Sequence, residues 1–160
     1  MAIEKVRAYL AKFGMADKIL EFDSSSATVE LAAQALNCEP ARIAKTLSFR
    51  KDDSCLIVVM AGDAKIDNKQ FKHKFAMKAR MLSAEEVNSL VGHAVGGVCP
   101  FAVNPDIPVY LDISLRRFET VFPACGSSNS AIELTCEQLA EYAGSLEWVD
   151  VCKGWRSEEI

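Results

Sequence analysis

The sequence predicts an α+β fold built around a mostly antiparallel sheet, and three observations carry that expectation. Two apolar strands follow one another across a short polar turn, as in a hairpin. Helical periodicities and two capping boxes are scattered between short extended runs. No regular strand–helix alternation, internal repeat, low-complexity linker or composition break divides the chain.

Ile3, Val6, Leu10 and Phe13 recur at helical spacing, and Gly14 stops that helix. The polar stretch Ser24 to Thr28 follows. Val29, Ala32, Ala33 and Leu36 then form one apolar helix face with Thr28 as N-cap; Asn37 ends the helix, and Pro40 opens a short turn through Ile43. Lys45 to Phe49 reads as a strand in which Lys45, Leu47 and Phe49 share a face. The turn Arg50 to Ser54 leads into Cys55–Ala61, a run apolar enough to be buried on both faces. Asp67 caps a helix running to about Ala76, and Met81-Leu82 is extended. Ser83 with Glu86 makes a capping box that opens a helix towards Val91. Gly92 through Phe101 is a glycine-rich loop. Val109–Asp112 and Thr120–Phe122 read as strands with a helical turn between them, and Cys125–Asn129 as a tight turn. Ala131–Leu134 is another strand. Thr135 with Gln138 is the second capping box, opening a helix through Leu139, Tyr142 and Ala143. Trp148–Val151 is the last strand, and Arg156 to Ile160 a frayed tail.

With 160 residues, 18 Lys+Arg against 22 Asp+Glu and a net charge of −4, the composition is that of one globular domain spanning residues 1–160. Half the residues are hydrophobic, which excludes a wholly disordered chain. The longest apolar run, Cys55 to Ala61, is far short of the ~20 residues of a membrane-spanning helix. Charged residues interrupt the N-terminus where a signal peptide would need an apolar core. A soluble, cytoplasmic protein that does not engage membranes is expected. The six cysteines are widely spaced, with no C-x-x-C and only two histidines, so no metal site is expected and the thiols read as reduced, mostly buried residues.

Five features bear on chemistry. From Lys65 to Arg80 six basic residues stand against Asp67 alone, a local positive face on an acidic chain; it suits a phosphate backbone or a simply solvated helix. Gly96-Gly97 can bring backbone amides close to an oxyanion, with Pro100 fixing the loop exit, or can form a plain turn. Gly126-Ser127-Ser128-Asn129-Ser130 can line a polar ligand or satisfy its own backbone. Lys45 stands among apolar same-face neighbours, either snorkelling to solvent or holding an anion at a pocket mouth. Cys99 lies six residues after His93, which leaves a thiol hydrolase open without establishing a Cys–His contact.

Three segments taken together resemble the YbaK/prolyl-tRNA-synthetase-associated domain family of aminoacyl-tRNA deacylases. They are Thr28 to Leu36 running on through Glu39 to Phe49, then Val95-Gly-Gly-Val-Cys-Pro-Phe101, similar to the family's G-G-x-x-P loop, and Ala124 to Leu134. Their order and spacing fit along nearly the whole chain. The resemblance implies a partly closed, mixed sheet flanked by helices and a freestanding domain that hydrolyses mischarged tRNA in trans without a metal or organic cofactor. Lys45 falls on the family's functional lysine and Gly96 and Gly97 on its loop. The resemblance casts Lys45 as holding the terminal phosphate or ester while the two glycine amides face the carbonyl. Thr28, Thr46, Pro100, Gly126, Ser127, Asn129 and Ser130 are the expected substrate-binding residues, and Lys69, Lys72, Lys74 and Lys78 the contacts to the tRNA backbone. Members acting on cysteinyl-tRNA carry aspartate where this chain has Ala131, and alanyl-specific members carry Asn where it has Thr46. The amino acid removed is therefore left open. The expected partners are mischarged tRNA and an aminoacyl-tRNA synthetase. Two other readings stand beside the deacylase: a non-catalytic module binding tRNA or a synthetase, and a Cys99-dependent hydrolase of small esters.

Overall fold

The computed structural model describes residues 2–23, 28–93 and 98–156. In chain order the helices are α1 (Ala2–Ala11), α2 (Val29–Leu36), α3 (Asn68–Phe75), α4 (Ala84–Glu86) and α5 (Cys136–Ala143). The strands are β1 (Leu20–Glu21), β2 (Ile43–Lys51), β3 (Ser54–Ala61), β4 (Lys65–Ile66) and β5 (Val109–Asp112). They continue with β6 (Thr120–Pro123), β7 (Ser130–Ala131), β8 (Leu134–Thr135), β9 (Glu147–Val149) and β10 (Cys152–Lys153).

The β2–β3 hairpin is the spine of the molecule, paired from Ala44↔Ala61 to Lys51↔Ser54. Asp52 takes the left-handed conformation (φ 54°) at its turn, a conformation Asp tolerates better than most side chains. β3 is buried from Cys55 to Ala61, as its unbroken apolar run requires of a strand covered on both faces. Six strands form one sheet in the order β8-β6-β2-β3-β5-β9, while β1 pairs with β7 and β10 with β4. The fold is α+β with a curled, mixed sheet flanked by helices, and antiparallel ladders hold most of the paired positions. Three joints of the central sheet are nonetheless parallel: β2–β6, β3–β5 and β5–β9.

Local chemistry sets the helix ends. Thr28, Asp67, Ser83 and Thr135 each accept a backbone hydrogen bond as N-cap, and both capping boxes are closed. Gly144 turns left-handed (φ 61°) to finish α5. α1 buries Val6 and Leu10, and Phe13 stacks on Tyr142 of α5 at 4.5 Å between ring centroids. α3 inserts Phe71 between Phe49 of β2 and Phe75.

Several elements differ from expectation. The helix after Ser83 lasts only through Glu86 before widening into a π turn, Val87–Val91, closed by Gly92 at φ 90°. The strand expected over residues 131–134 is split, because β7 pairs with β1 and β8 with β6. Trp148–Val151 divides likewise between β9 on β5 and β10 on β4. Ser24–Ala27 and the tail beyond Arg156 lie outside the described residues.

One interruption of the sheet positions the site. β2 pairs with β6 only at Ile43↔Phe122 and Ala44↔Pro123. Pro123 has no N–H to extend the ladder, and its carbonyl accepts instead from Ile132. Beyond that point the chain pairs Ala124 with Ala131, and β2 finds its next neighbour only at the Phe49↔Met81 bridge. Between those two joints the outer edge of β2 is left facing a hollow.

Candidate functional site

The hollow is a cavity of about 410 Å3, a volume within the range of small-molecule sites. β2 contributes Ala44, Lys45, Thr46, Leu47 and Ser48 to its wall. Ser130 and Ala131 of β7 with Ala124 face them, and Thr28, Val29 and Ala32 close the α2 end. Met81 and Leu82 line the other end, and Met81 stands 58% exposed at the mouth.

The backbone of β2 offers polar groups to this space as well. Ser48 accepts from the Leu82 amide and Arg50 donates to the Arg80 carbonyl, so even-numbered residues turn their peptide groups away from β3. The same two-residue period turns the amide and carbonyl of Thr46 towards the cavity. Its side-chain Oγ1 is buried and, among the described residues, has no hydrogen-bond partner. A buried hydroxyl left unpaired costs roughly 1–3 kcal/mol, so Thr46 Oγ1 is a hydrogen-bonding group that the described residues leave unused.

Lys45 reaches the α2 end of the cavity. Its Nζ donates to the Gly62 carbonyl at 3.3 Å, and burial lowers its pKa below the ordinary lysine value of 10.5, with Cys152, Asp63 and Glu30 partly opposing the shift. A desolvated ammonium with one carbonyl acceptor keeps donors free for an incoming anion or ester. Gly62 itself was not foreseen, and it is needed here. A Cβ at this position would lie 2.1 Å from the Pro40 carbonyl oxygen and 2.7 Å from Val29 Cγ1. Only glycine lets α2 and the turn before β2 close over the lysine; its place directly after the β3 apolar run was the available signal.

The expected substrate residues are not all brought together. Thr28, Lys45, Thr46 and Ser130 line the one cavity. Gly126, Ser127, Asn129 and Pro100 are not among its lining residues. Gly126 supplies the left-handed turn (φ 92°), and Ser127 Oγ bonds Ser130 Oγ at 2.7 Å and Asn129 Oδ1 at 3.0 Å. Asn129 donates to the Phe22 carbonyl and accepts from its amide, tying the turn to the end of β1. Gly96 and Gly97 lie outside the described residues, but Val98, the next residue along, lines the cavity with Lys45.

The family model for the aminoacyl-tRNA editing domain matches residues 23–142. The chain belongs to the aminoacyl-tRNA editing domain family. It is 53% identical over 156 residues to uncharacterized protein YwhH of Bacillus subtilis (strain 168), covering 97% of this chain and 99% of that protein. It is 30% identical over 126 residues to a proline–tRNA ligase of Bacillus cytotoxicus, covering 77% of this chain. The matched region spans only 22% of that ligase. A crystal structure provisionally assigned as a trans-editing enzyme for prolyl-tRNA synthetase superposes with a TM-score of 0.86 at 28% identity, over 96% of this chain and 98% of the other. Membership in this family supports a deacylase-type role in aminoacyl-tRNA editing.

Within this editing domain Cys99 is badly placed for nucleophilic chemistry. The fold does bring its Sγ within 3.6 Å of His93 Nε2, a contact that sequence proximity alone did not establish. The same Nε2 lies 2.8 Å from the Phe101 carbonyl. A carbonyl only accepts, so Nε2 carries the hydrogen and cannot take a proton from the thiol. Cys99 is wholly buried, and burial pushes its pKa up to about 12. It is a packed thiol away from the cavity wall.

The basic segment divides into two. Lys69, Lys72 and Lys78 converge with Asn68 and Ala79 on a separate groove, whereas Lys74 is paired with Glu147. Among the described residues no cluster of His, Cys, Asp and Glu is arranged to hold a metal ion, and no helix is long and apolar enough to cross a membrane.

Proposed function

We propose that this editing domain hydrolyses mischarged aminoacyl-tRNA in trans, cleaving the ester between the amino acid and the terminal adenosine. One observation carries the reading. In a chain of this family, Lys45, a Thr46 hydroxyl with no partner among the described residues, and Val98, the residue after the glycine pair, line a single cavity.

Lys45 holds the terminal phosphate or the ester oxygen through the donors that Gly62 leaves free. Gly96 and Gly97, which lie outside the described residues, are assigned the task of stabilising the negative charge that develops on the carbonyl oxygen. Water, oriented by the neighbouring ribose hydroxyl, adds to the carbonyl carbon as its π electrons move onto oxygen. Collapse then breaks the bond to the ribose oxygen, which takes the proton that water gives up. Free amino acid and uncharged tRNA leave. Thr28 and Thr46 hold the aminoacyl group, Ser130 borders its side chain, and Ser127, Asn129, Gly126 and Pro100 fix the shape of that wall. Neither metal nor organic cofactor enters the scheme, and the chemistry belongs in the cytoplasm with the charged tRNA pool. Proline–tRNA ligase is the synthetase whose errors the relatives suggest it corrects.

The test is release of amino acid from a panel of tRNAs each charged with a wrong amino acid. Loss of the label from at least one member, with uncharged tRNA as the product, is expected. No release from any member sinks the reading and leaves a module that binds tRNA or a synthetase without catalysis.

A further inference from the structure

The groove beside α3 is a feature the hydrolytic scheme does not use. It encloses about 400 Å3 and is lined by Asn68, Lys69, Lys72, Lys78 and Ala79. Lys69 and Lys72 stand three apart on one helix face, and Lys78 comes from the chain that returns past the left-handed end of α3 at Ala76 (φ 57°). All three lysines are exposed, and no carboxylate lines the groove. Two acids on or against α3 are engaged elsewhere: Asp67 caps the helix through the amides of Lys69 and Gln70, and Glu147 pairs with Lys74. Residues 65–80 carry +5 on a chain of net charge −4, so the remainder carries −9. A concentrated positive groove on an otherwise acidic molecule selects a polyanion and repels it elsewhere.

Position identifies the polyanion. Lys78 and Ala79 line the groove, and two residues on, Met81 and Leu82 line the aminoacyl cavity. Arg80 pairs with Arg50 and Met81 with Phe49, and the two residues from Ala79 to Met81 span at most about 7 Å, so the groove and the cavity adjoin along this run. At about 3.4 Å per phosphate along a stacked strand, that is on the order of two nucleotide steps.

We propose that the Lys69–Lys72–Lys78 groove grips phosphates of the single-stranded 3′ tail of tRNA, about two nucleotides inside the charged adenosine, and that Lys74 takes no part. The proposal rests on the deacylase reading for the identity of the RNA, but its test reads binding of uncharged tRNA and involves no hydrolysis. The affinity of full-length uncharged tRNA is measured across a salt series for the wild type, for the triple variant Lys69→Gln/Lys72→Gln/Lys78→Gln, and for Lys74→Gln. The triple variant is expected to bind more weakly, with the slope of log affinity against log salt reduced by about 2, at roughly 0.7 per phosphate contact. Lys74→Gln, on the same helix, is expected to match the wild type and so controls for disturbance of α3. A transcript truncated at the end of the acceptor stem is expected to bind wild type and triple variant alike. An unchanged slope in the triple variant overturns the proposal and points to an acidic protein as the occupant. An equal loss with the truncated transcript overturns it in favour of the duplex stem. A loss in Lys74→Gln equal to that of the triple variant contradicts the division of the lysines.

Discussion

Lys45 sits half-buried opposite Met60 on β3 with the Gly62 carbonyl as its hydrogen-bond acceptor. Burial lowers its pKa, so the charged form is disfavoured in the folded chain relative to the unfolded one. The resulting cost to stability is full at pH below the folded pKa and is relieved as pH rises through the unfolded value of 10.5. At neutral pH the domain therefore carries a charge it would be more stable without. Lys45→Met is expected to raise the free energy of unfolding at pH 7 by about 1 kcal/mol, the scale of relieving a costly functional position. It should also slow hydrolysis by about 100-fold or more, as removal of a charge-stabilising donor does. Chemical denaturation and single-turnover deacylation measure the two effects, and a destabilised yet fully active variant contradicts this account of the residue. Gly62→Ala pushes a methyl group onto the Pro40 carbonyl and Val29. A loss of about 1–3 kcal/mol is expected, together with weaker substrate binding because the α2 wall moves. Lys45 stood out in the sequence as a lysine among apolar same-face neighbours, but that pattern left snorkelling and anion binding both open, and its functional casting came from the family resemblance. Gly62 offered only its place after the β3 apolar run as a signal, because its necessity comes from a turn more than twenty residues earlier.

Among the elements, the segment from His93 to Phe101 brackets the glycine pair. His93 is fully buried, and burial lowers its pKa, so the ring is neutral and its Nε2–H closes the base of the segment on the Phe101 carbonyl. Cys99 Sγ points to the same carbonyl at 3.7 Å. His93→Leu leaves that carbonyl short of its best donor, and a loss of about 1–3 kcal/mol is expected on thermal unfolding. His93→Gln places an amide N–H at a similar reach and should recover part of it. Equal losses in both variants would show that ring packing, not the hydrogen bond, holds the segment. Caps and boxes such as Ser83 with Glu86 and Thr135 with Gln138 were readable in advance, because their partners lie three residues apart. The shortness of α4 was not, since the π turn that replaces it answers to the packing of Val87 and Val91 in the core.

In the molecule as a whole, the β2–β3 hairpin and the α+β class followed from local patterning, whereas the parallel joints of β2, β3 and β5 with their neighbours did not. A parallel joint unites segments far apart in sequence and leaves no short-range signature. The cavity depends on such a joint, because it opens where β2 and β6 part after Pro123. The residues on its rim could thus be named one by one, but their meeting could not be read from spacing. Six free cysteines, several of them deep in the core, add a competing chemistry that only burial decides. The rate of amino-acid release from a mischarged tRNA substrate, compared among wild type, Lys45→Ala and Cys99→Ala, tests the central claim most directly. Release that collapses in Lys45→Ala and persists in Cys99→Ala is the predicted result, and release that survives the first substitution but dies with the second contradicts it.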